Sequence, residues 1–387
     1  MPEELPLVWT LTSDKAGDRR QINRLAAALG WPMEEKRLAF NPFYKVSNVL
    51  LGPSLVSLNA NCSDHLGPPW PSLIIASGRR SVPVARWIRR QSGGLARLVH
   101  IGRPWAPLRL FDLIISTPQY HLMDRPNVLM NTTTLNQPEA AALAAAGERW
   151  RSRLAGLPRP LIAVLVGGDA KPLVLSETTA RELGRRAAAM AAELGGSLAV
   201  TTSPRSSKAA IDALFNALPE ESFRYRFGDG GDNPYLGLLA HADRFIVTGD
   251  SASMLSEACC FGKPVHLFPL PVRQTRFLTI AGRVQRFCLS ADGWGQGPLA
   301  SGYRLMINSL RDMDAFNQNL IDNGLAEWLD RTAKTSSTAP IPRLSPEQGL
   351  NEALARIHAF FPGSNRPKSA SVSPDHIDVT PARVILS

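Results

Sequence analysis

The sequence predicts an α/β protein built from two doubly wound, Rossmann-like domains facing a cleft. Three observations carry that expectation. Apolar runs of strand length recur along the chain, and most lead into a short polar loop and then a helix-periodic stretch, the alternation that builds parallel sheets. The alternation restarts after Gly156-Leu157-Pro158-Arg159-Pro160, a stretch with linker composition. A length of 387 residues, 44% hydrophobic and 20% charged, is globular and exceeds what one core usually serves. The expected division is residues 1–155 and 156–330 as the two domains, 331–361 as a connector with a terminal helix, and 362–387 as a disordered tail.

In the first half, Leu7 to Leu11 reads as a strand, followed by a polar loop from Thr12 to Asp18 and a helix from Arg19 to Leu29 that Gly30 stops. Gly17 at that helix start allows close approach of a ligand, and Lys15, Asp18 and Gln21 are the polar groups beside it. Val46 to Leu58 is apolar and fits strand or helix equally. Strands are expected at Pro71–Ala76, Leu95–Ile101, Phe111–Ser116 and Asn127–Met130, with a helix from Val82 to Arg90. The loop Ser77-Gly78-Arg79-Arg80-Ser81 offers arginines to an anionic group, and His121 lies in the loop after the Phe111 strand. In a doubly wound sheet these loops gather at one edge, where ligands bind.

In the second half, a helix over Gln137–Leu154 precedes the linker. Leu161–Val166, Ser197–Thr201 and Phe223–Phe227 read as strands, with helices over Thr178–Leu194, Ser207–Leu218 and Pro234–Ala240. Gly167-Gly168 after the first strand suits a diphosphate, Ser203 and Arg205 after the second suit a phosphate, and Asn233-Pro234-Tyr235 precedes a helix in a place that often frames a base. Each is also an ordinary strand-to-helix turn; together, after consecutive strands, they point to a nucleotide pocket.

The stretch from Ala242 to Pro269 is the most informative. It reads as strand, polar turn, helix, glycine stop and strand. A helix starting just past a strand end aims free backbone N–H groups at one spot, which attracts anions. Thr248, Asp250, Ser251, Ser253 and Met254 surround that spot, and Glu257, four residues beyond Ser253, shares its face. Phosphate at the helix start and ribose hydroxyls on Glu257 fit a nucleotide. A further helix is expected over Leu320–Trp328, and one over Pro346–Phe361.

A formal net charge of +10 favours phosphate-bearing partners or an anionic membrane surface. The arginines are scattered without interleaved aromatics, which argues against nucleic acid. Four cysteines without metal-ligand spacing suggest a reducing compartment, with neither disulfides nor a metal site. The first residues lack the pattern of a signal peptide and no apolar run reaches spanning length, so the expected location is the cytoplasm, with peripheral contact at the inner face of the membrane.

Thr248-Gly249-Asp250-Ser251-Ala252-Ser253-Met254-Leu255-Ser256-Glu257-Ala258 resembles the T-x-DS-x-SM-x-SEA signature of the mitochondrial fission protein family, named for the plant elongated-mitochondria protein. Gly262-Lys263-Pro264-Val265, Asn233-Pro234-Tyr235, Gly167-Gly168, Thr202-Ser203 and Lys15-Ala16-Gly17…Gln21 continue the match, which covers about residues 7–330. The resemblance implies a GT-B fold and a metal-independent glycosyltransferase that takes a nucleotide sugar as co-substrate, with no further cofactor. The donor would meet the residues named in the second half, and the acceptor would meet Lys15, Gly17, Gln21 and Arg79. The acceptor class it suggests is a lipid-linked or envelope glycan precursor. Two departures stand out: Asp18 occupies a place where the family usually has histidine, and Pro204 precedes Arg205 where paired arginines are common. Asp18 and His121 are the candidates for a catalytic base. A non-catalytic adaptor on the same fold and a nucleotide-sugar epimerase are the alternatives.

Overall fold

Apolar β-branched runs bounded by polar turns do form the strands. The computed structural model describes residues 5–273, 312–329 and 347–363. In its first half, β1 (Val8–Thr12), β2 (Met33–Arg37), β3 (Leu73–Ser77), β4 (Arg97–Ile101), β5 (Leu113–Ser116) and β6 (Val128–Met130) form a parallel sheet in the order β2-β1-β3-β4-β5-β6. The helices α1 (Ala16–Leu29), α2 (Asn48–Leu51) and α3 (Gly78–Gln91) belong to this half. The second half holds β7 (Leu161–Leu165), β8 (Ser197–Thr201), β9 (Phe223–Tyr225), β10 (Arg244–Thr248), β11 (Val265–Phe268) and β12 (Glu327–Trp328). They form a second parallel sheet in the order β12-β11-β10-β7-β8-β9. Its helices include α5 (Glu177–Leu194), α6 (Lys208–Phe215), α7 (Tyr235–His241), α8 (Ala252–Cys259) and α9 (Met313–Asp322).

Strand order reverses between β1 and β3 in one sheet and between β7 and β10 in the other. Open α/β sheets bind ligands in the crevice beyond such a reversal. At the first, the strands run out into Ser13 and Gly78; at the second, into Gly167 and Gly249. The expected two-domain, Rossmann-like, GT-B-type architecture is the architecture observed.

Both sheets are covered on their faces by apolar side chains. Trp9, Leu11, Ile74 and Leu98 pack on one face of the first sheet, and Val8, Leu73, Ile75 and Val99 on the other. Two helices tie the halves together. Helix α4 (Ala140–Leu154), which the sequence reading assigned to residues 1–155, places Trp150 and Leu154 in the second core. Helix α10 (Gln348–His358) comes after the second sheet yet packs Leu350, Ala353 and Ile357 into the first core beside Ile22 and Trp31.

Several elements differ from expectation. Strand β2 was not foreseen, because MEEKR is a charged, largely exposed edge strand with no apolar alternation to read. The ambiguous Val46–Leu58 run joins no sheet: it carries α2 and follows a 3-10 turn at Pro42–Lys45. Helix α3 begins directly at Gly78, so Arg79 and Arg80 sit in its first turn instead of a loop. The helix expected over Leu320–Trp328 is two elements, because α9 ends at Asp322 and Gly324, at φ 69°, turns the chain into β12. The connector over 331–346 and the tail beyond Gly363 lie outside the described residues.

Candidate functional site

Strand β10 delivers Thr248, Gly249 and Asp250 to the reversal point of the second sheet. Thr248 Oγ1 accepts from Gly167 N–H at 2.8 Å, joining the ends of β7 and β10. Glycine is required at both positions 167 and 168 by the protein itself: a Cβ on Gly167 would collide with the Asp250 carboxylate, and one on Gly168 would lie 2.5 Å from the Arg205 carbonyl carbon. Ser203 Oγ donates to Gly167 O and accepts from Arg205 N at 3.2 Å. Arg205 reaches the buried Asp250 carboxylate at 2.7 Å. Burial pushes the Asp250 carboxyl above its ordinary range, and the Arg205 guanidinium opposes that shift. Among the described residues Asp250 Oδ1 has no hydrogen-bond partner.

Helix α8 starts at Ala252, and Ser251 is its N-cap, with Oγ 3.5 Å from Met254 N. One turn in, Glu257 is only 2% exposed. Its carboxylate accepts from the Tyr235 hydroxyl and lies 3.3 Å from Arg20 Nη1, a group of the first domain. Burial raises the Glu257 carboxyl, against the pull of Tyr235 and Arg20. Burial and the neighbouring Glu257 also push the Tyr235 phenol well up. Asn233 Oδ1 accepts from Tyr235 N at 2.9 Å and so fixes the start of α7.

The two domains meet at this helix. Asn136 Nδ2 donates to Ser253 Oγ at 2.9 Å, and Thr134 N–H donates to Ser256 Oγ at 3.0 Å. A Cβ on Gly17 would stand 3.5 Å from Ser253 Oγ, so the start of α1 lies directly against the start of α8. Asn317 of α9 buttresses the turn from beneath, donating to Gly249 O at 3.1 Å.

On the first domain, Asp18 and Gln21 line a small cavity of about 30 Å³ at the ends of β3, β4, β5 and β6. Asp18 also lines a neighbouring cavity of about 160 Å³ at the β1/β3 reversal, with Lys15, Tyr44, Arg79 and Arg80. Gln21 Oε1 accepts from Leu135 N at 3.2 Å. The Arg79 guanidinium donates to the carbonyls of Lys45 and Val46 at 2.7 and 2.9 Å, which clamps that segment. His121 is placed away from both cavities, with Nε2 2.7 Å from Asp312 Oδ2 at the start of α9. That contact holds the Asp312 carboxyl below its usual range.

The structure therefore gathers Gly17, Ser253, Tyr235 and Glu257 at one interdomain seam, and Gly167, Gly168, Ser203, Arg205, Thr248 and Asp250 at the adjoining turn. Sequence reasoning missed Arg20, Thr134, Asn136 and Ser256. Ser256 stands inside the quoted signature, but nothing in sequence spacing ties residues 134 and 136 to residues 253 and 256. Among the described residues no cluster of three or more His, Cys, Asp or Glu side chains could hold a metal ion, and no helix is long and apolar enough to cross a membrane.

A family model described as mitochondrial fission ELM1 matches residues 16–298. The chain belongs to that family. Within it, the mitochondrial fission protein ELM1 of Arabidopsis thaliana is 29% identical over 221 residues, covering 51% of this chain and 51% of the plant protein. The match thus spans about half the length of that relative. An uncharacterized protein of Rickettsia prowazekii is 24% identical over 298 residues, covering 68% of this chain and 83% of its own. Among solved structures, a candidate UDP-N-acetylglucosamine 2-epimerase from Listeria monocytogenes superposes with a TM-score of 0.51 at 13% identity, over 94% of this chain and 98% of that one. At that identity the likeness concerns the fold.

Proposed function

We propose that this ELM1-family chain is a metal-independent glycosyltransferase, with a nucleotide-sugar donor held by the second domain and an acceptor held by the first. The observation that carries the reading is Glu257: a carboxylate 2% exposed, one turn into a helix that starts at a strand-order reversal, facing the other domain. Burying a carboxylate is costly unless its oxygens find donors. Here Tyr235 and Arg20 supply them, and ribose hydroxyls are the same kind of donor. In this reading the start of α8 takes the diphosphate, where its dipole stabilises charge that develops on the leaving group. Arg205 supplies the nearby cation. Asp18, which lines both first-domain cavities, is the better placed of the two base candidates, because His121 is paired with Asp312 outside them.

One observation favours the competing reading, a binding scaffold on the same fold. Glu257, Asp250 and Ser253 all have partners within the protein, which is what a retired pocket used as an interdomain joint would show. A thermal-shift panel of nucleoside diphosphates and their sugars separates the two. The glycosyltransferase reading expects at least one nucleotide to stabilise the wild type, by about 2.7 kcal/mol at a hundredfold excess over its dissociation constant. Glu257→Ala then weakens that nucleotide by roughly tenfold or more, the worth of a hydrogen bond to a charged group. If no nucleotide stabilises the wild type at saturating concentration, the proposal falls and the scaffold stands.

A further inference from the structure

The first domain stands where a ligand at the start of α8 would lie. Gly17, the second residue of α1, sits against Ser253, the second residue of α8: a Cβ on Gly17 would be 3.5 Å from Ser253 Oγ. The same hydroxyl accepts from Asn136 Nδ2 at 2.9 Å. One turn further on, Arg20 Nη1 donates to Glu257 Oε1 at 3.3 Å, while the Tyr235 hydroxyl donates to Glu257 Oε2. The oxygens that would meet ribose and the hydroxyl that would meet phosphate are therefore engaged from within the protein. All of these partners except Tyr235 come from the first domain.

These contacts differ in how readily they part. Tyr235 shares a domain with Glu257 and its backbone is fixed by Asn233, so it stays with Glu257 when the domains separate. Arg20 reaches across the seam, and its side chain is 56% exposed against 2% for Glu257, so water already solvates much of it. The seam is also not a fully satisfied joint. Asn136 is 2% exposed, yet its Oδ1 has no partner among the described residues, where buried polar atoms normally find one. The starts of α1 and α8, each the positive end of a helix dipole, are brought into contact, and like ends repel. Arg20 and Glu257 supply the opposite charges that hold them together.

We infer that the Arg20–Glu257 pair is an internal latch: it closes the first domain over the start of α8, and a nucleoside diphosphate binds by taking Arg20's place on Glu257 and lifting Gly17 and Asn136 off Ser253. The inference rests on the reading that this helix start takes a nucleotide. It accounts for the pairing of Glu257 and Ser253 within the protein without retiring the pocket, because ribose hydroxyls replace the donor that leaves. The affinity of the whole chain is then the intrinsic affinity reduced by the fraction of molecules with the latch open. Weakening the latch from the first-domain side therefore tightens nucleotide binding. Losing a ligand contact or a structural support would do the reverse.

The test is calorimetric titration of the full chain with ADP, CDP, GDP and UDP, using the wild type, Arg20→Ala and Asn136→Ala, with circular dichroism as the check on folding. The nucleotide that binds the wild type should bind Arg20→Ala about three- to fivefold tighter, the worth of an ion pair with one exposed partner. Asn136→Ala should shift affinity in the same direction, and it leaves the Glu257 pair in place. A chain carrying both Gly17→Cys and Ser253→Cys should form a disulfide, since the two positions are in contact. Oxidised, that chain should lose nucleotide binding, and dithiothreitol should restore it. Nucleotide binding that Arg20→Ala and Asn136→Ala weaken or leave unchanged overturns the latch and spares the glycosyltransferase reading. An oxidised double variant that binds as tightly as its reduced form does the same, as does failure of the disulfide to form, because the seam is then open in solution. If no nucleotide binds the wild type, the glycosyltransferase reading falls and the latch falls with it.

Discussion

His100 makes acid sensitivity of the first domain calculable. It lies in β4, fully buried, with its ring 5.4 Å from that of Phe111 and neither ring nitrogen bonded to a partner among the described residues. A charged imidazolium there would lose its water shell with too few acceptors for its two N–H groups, so burial lowers its pKa from 6.5 to about 3, opposed only in part by the Arg103 backbone. The unfolded chain therefore binds a proton that the folded chain refuses. The sign follows: no penalty exists above the unfolded value, and stability is lost as pH falls from about 6.5 toward 3. Each pH unit in that window costs about 1.4 kcal/mol, so two units below 6.5 the loss is about 3 kcal/mol from this one residue. His100→Leu removes the titrating group and keeps an apolar side chain in the core. Urea unfolding of the wild type and the variant near neutral pH and near pH ~4.5 measures the difference of differences, which cancels other groups. The wild type should lose about 3 kcal/mol more than the variant on acidification. An equal loss in both would refute the argument and mean that His100 is protonated in the folded protein.

Two further predictions concern how the domains are joined. Gly237→Ala places a Cβ 2.5 Å from Trp150 Cγ, where α7 meets α4, and should cost about 1–3 kcal/mol by overpacking, read as a lower urea midpoint. Ser256→Ala deletes the acceptor for both Thr134 N–H and its hydroxyl and should cost roughly 1–3 kcal/mol; small-angle scattering should show a larger radius of gyration, and an unchanged radius would show that Thr134 does not set the domain approach.

The legible part of the fold was the part governed by local rules. Buried parallel strands such as LIAVL, and the FIV centre of RFIVT, are continuously apolar, and Gly30 and Gly195, both in left-handed conformation, end helices where the sequence says they should. Strand β2 escaped because an edge strand with one covered side need not alternate when its side chains are charged. The start of α8 was legible because a strand end, small polar residues and a helix period coincide there. Its partners were not, since Arg20, Thr134 and Asn136 reach it only through the approach of a second domain, 237, 122 and 117 residues away in sequence. The roles of Gly167 and Arg79 were visible only in the structure. One is small because Asp250 crowds it, and the other is clamped to the carbonyls of Lys45 and Val46.

The most direct test of the account is a crystal structure of the chain with the nucleoside diphosphate that stabilises it most. The account predicts the diphosphate at the start of α8, within hydrogen-bond reach of Ser251 and Ser253, with ribose hydroxyls on Glu257. A nucleotide bound elsewhere, with Glu257 still held by Tyr235 and Arg20, would contradict it.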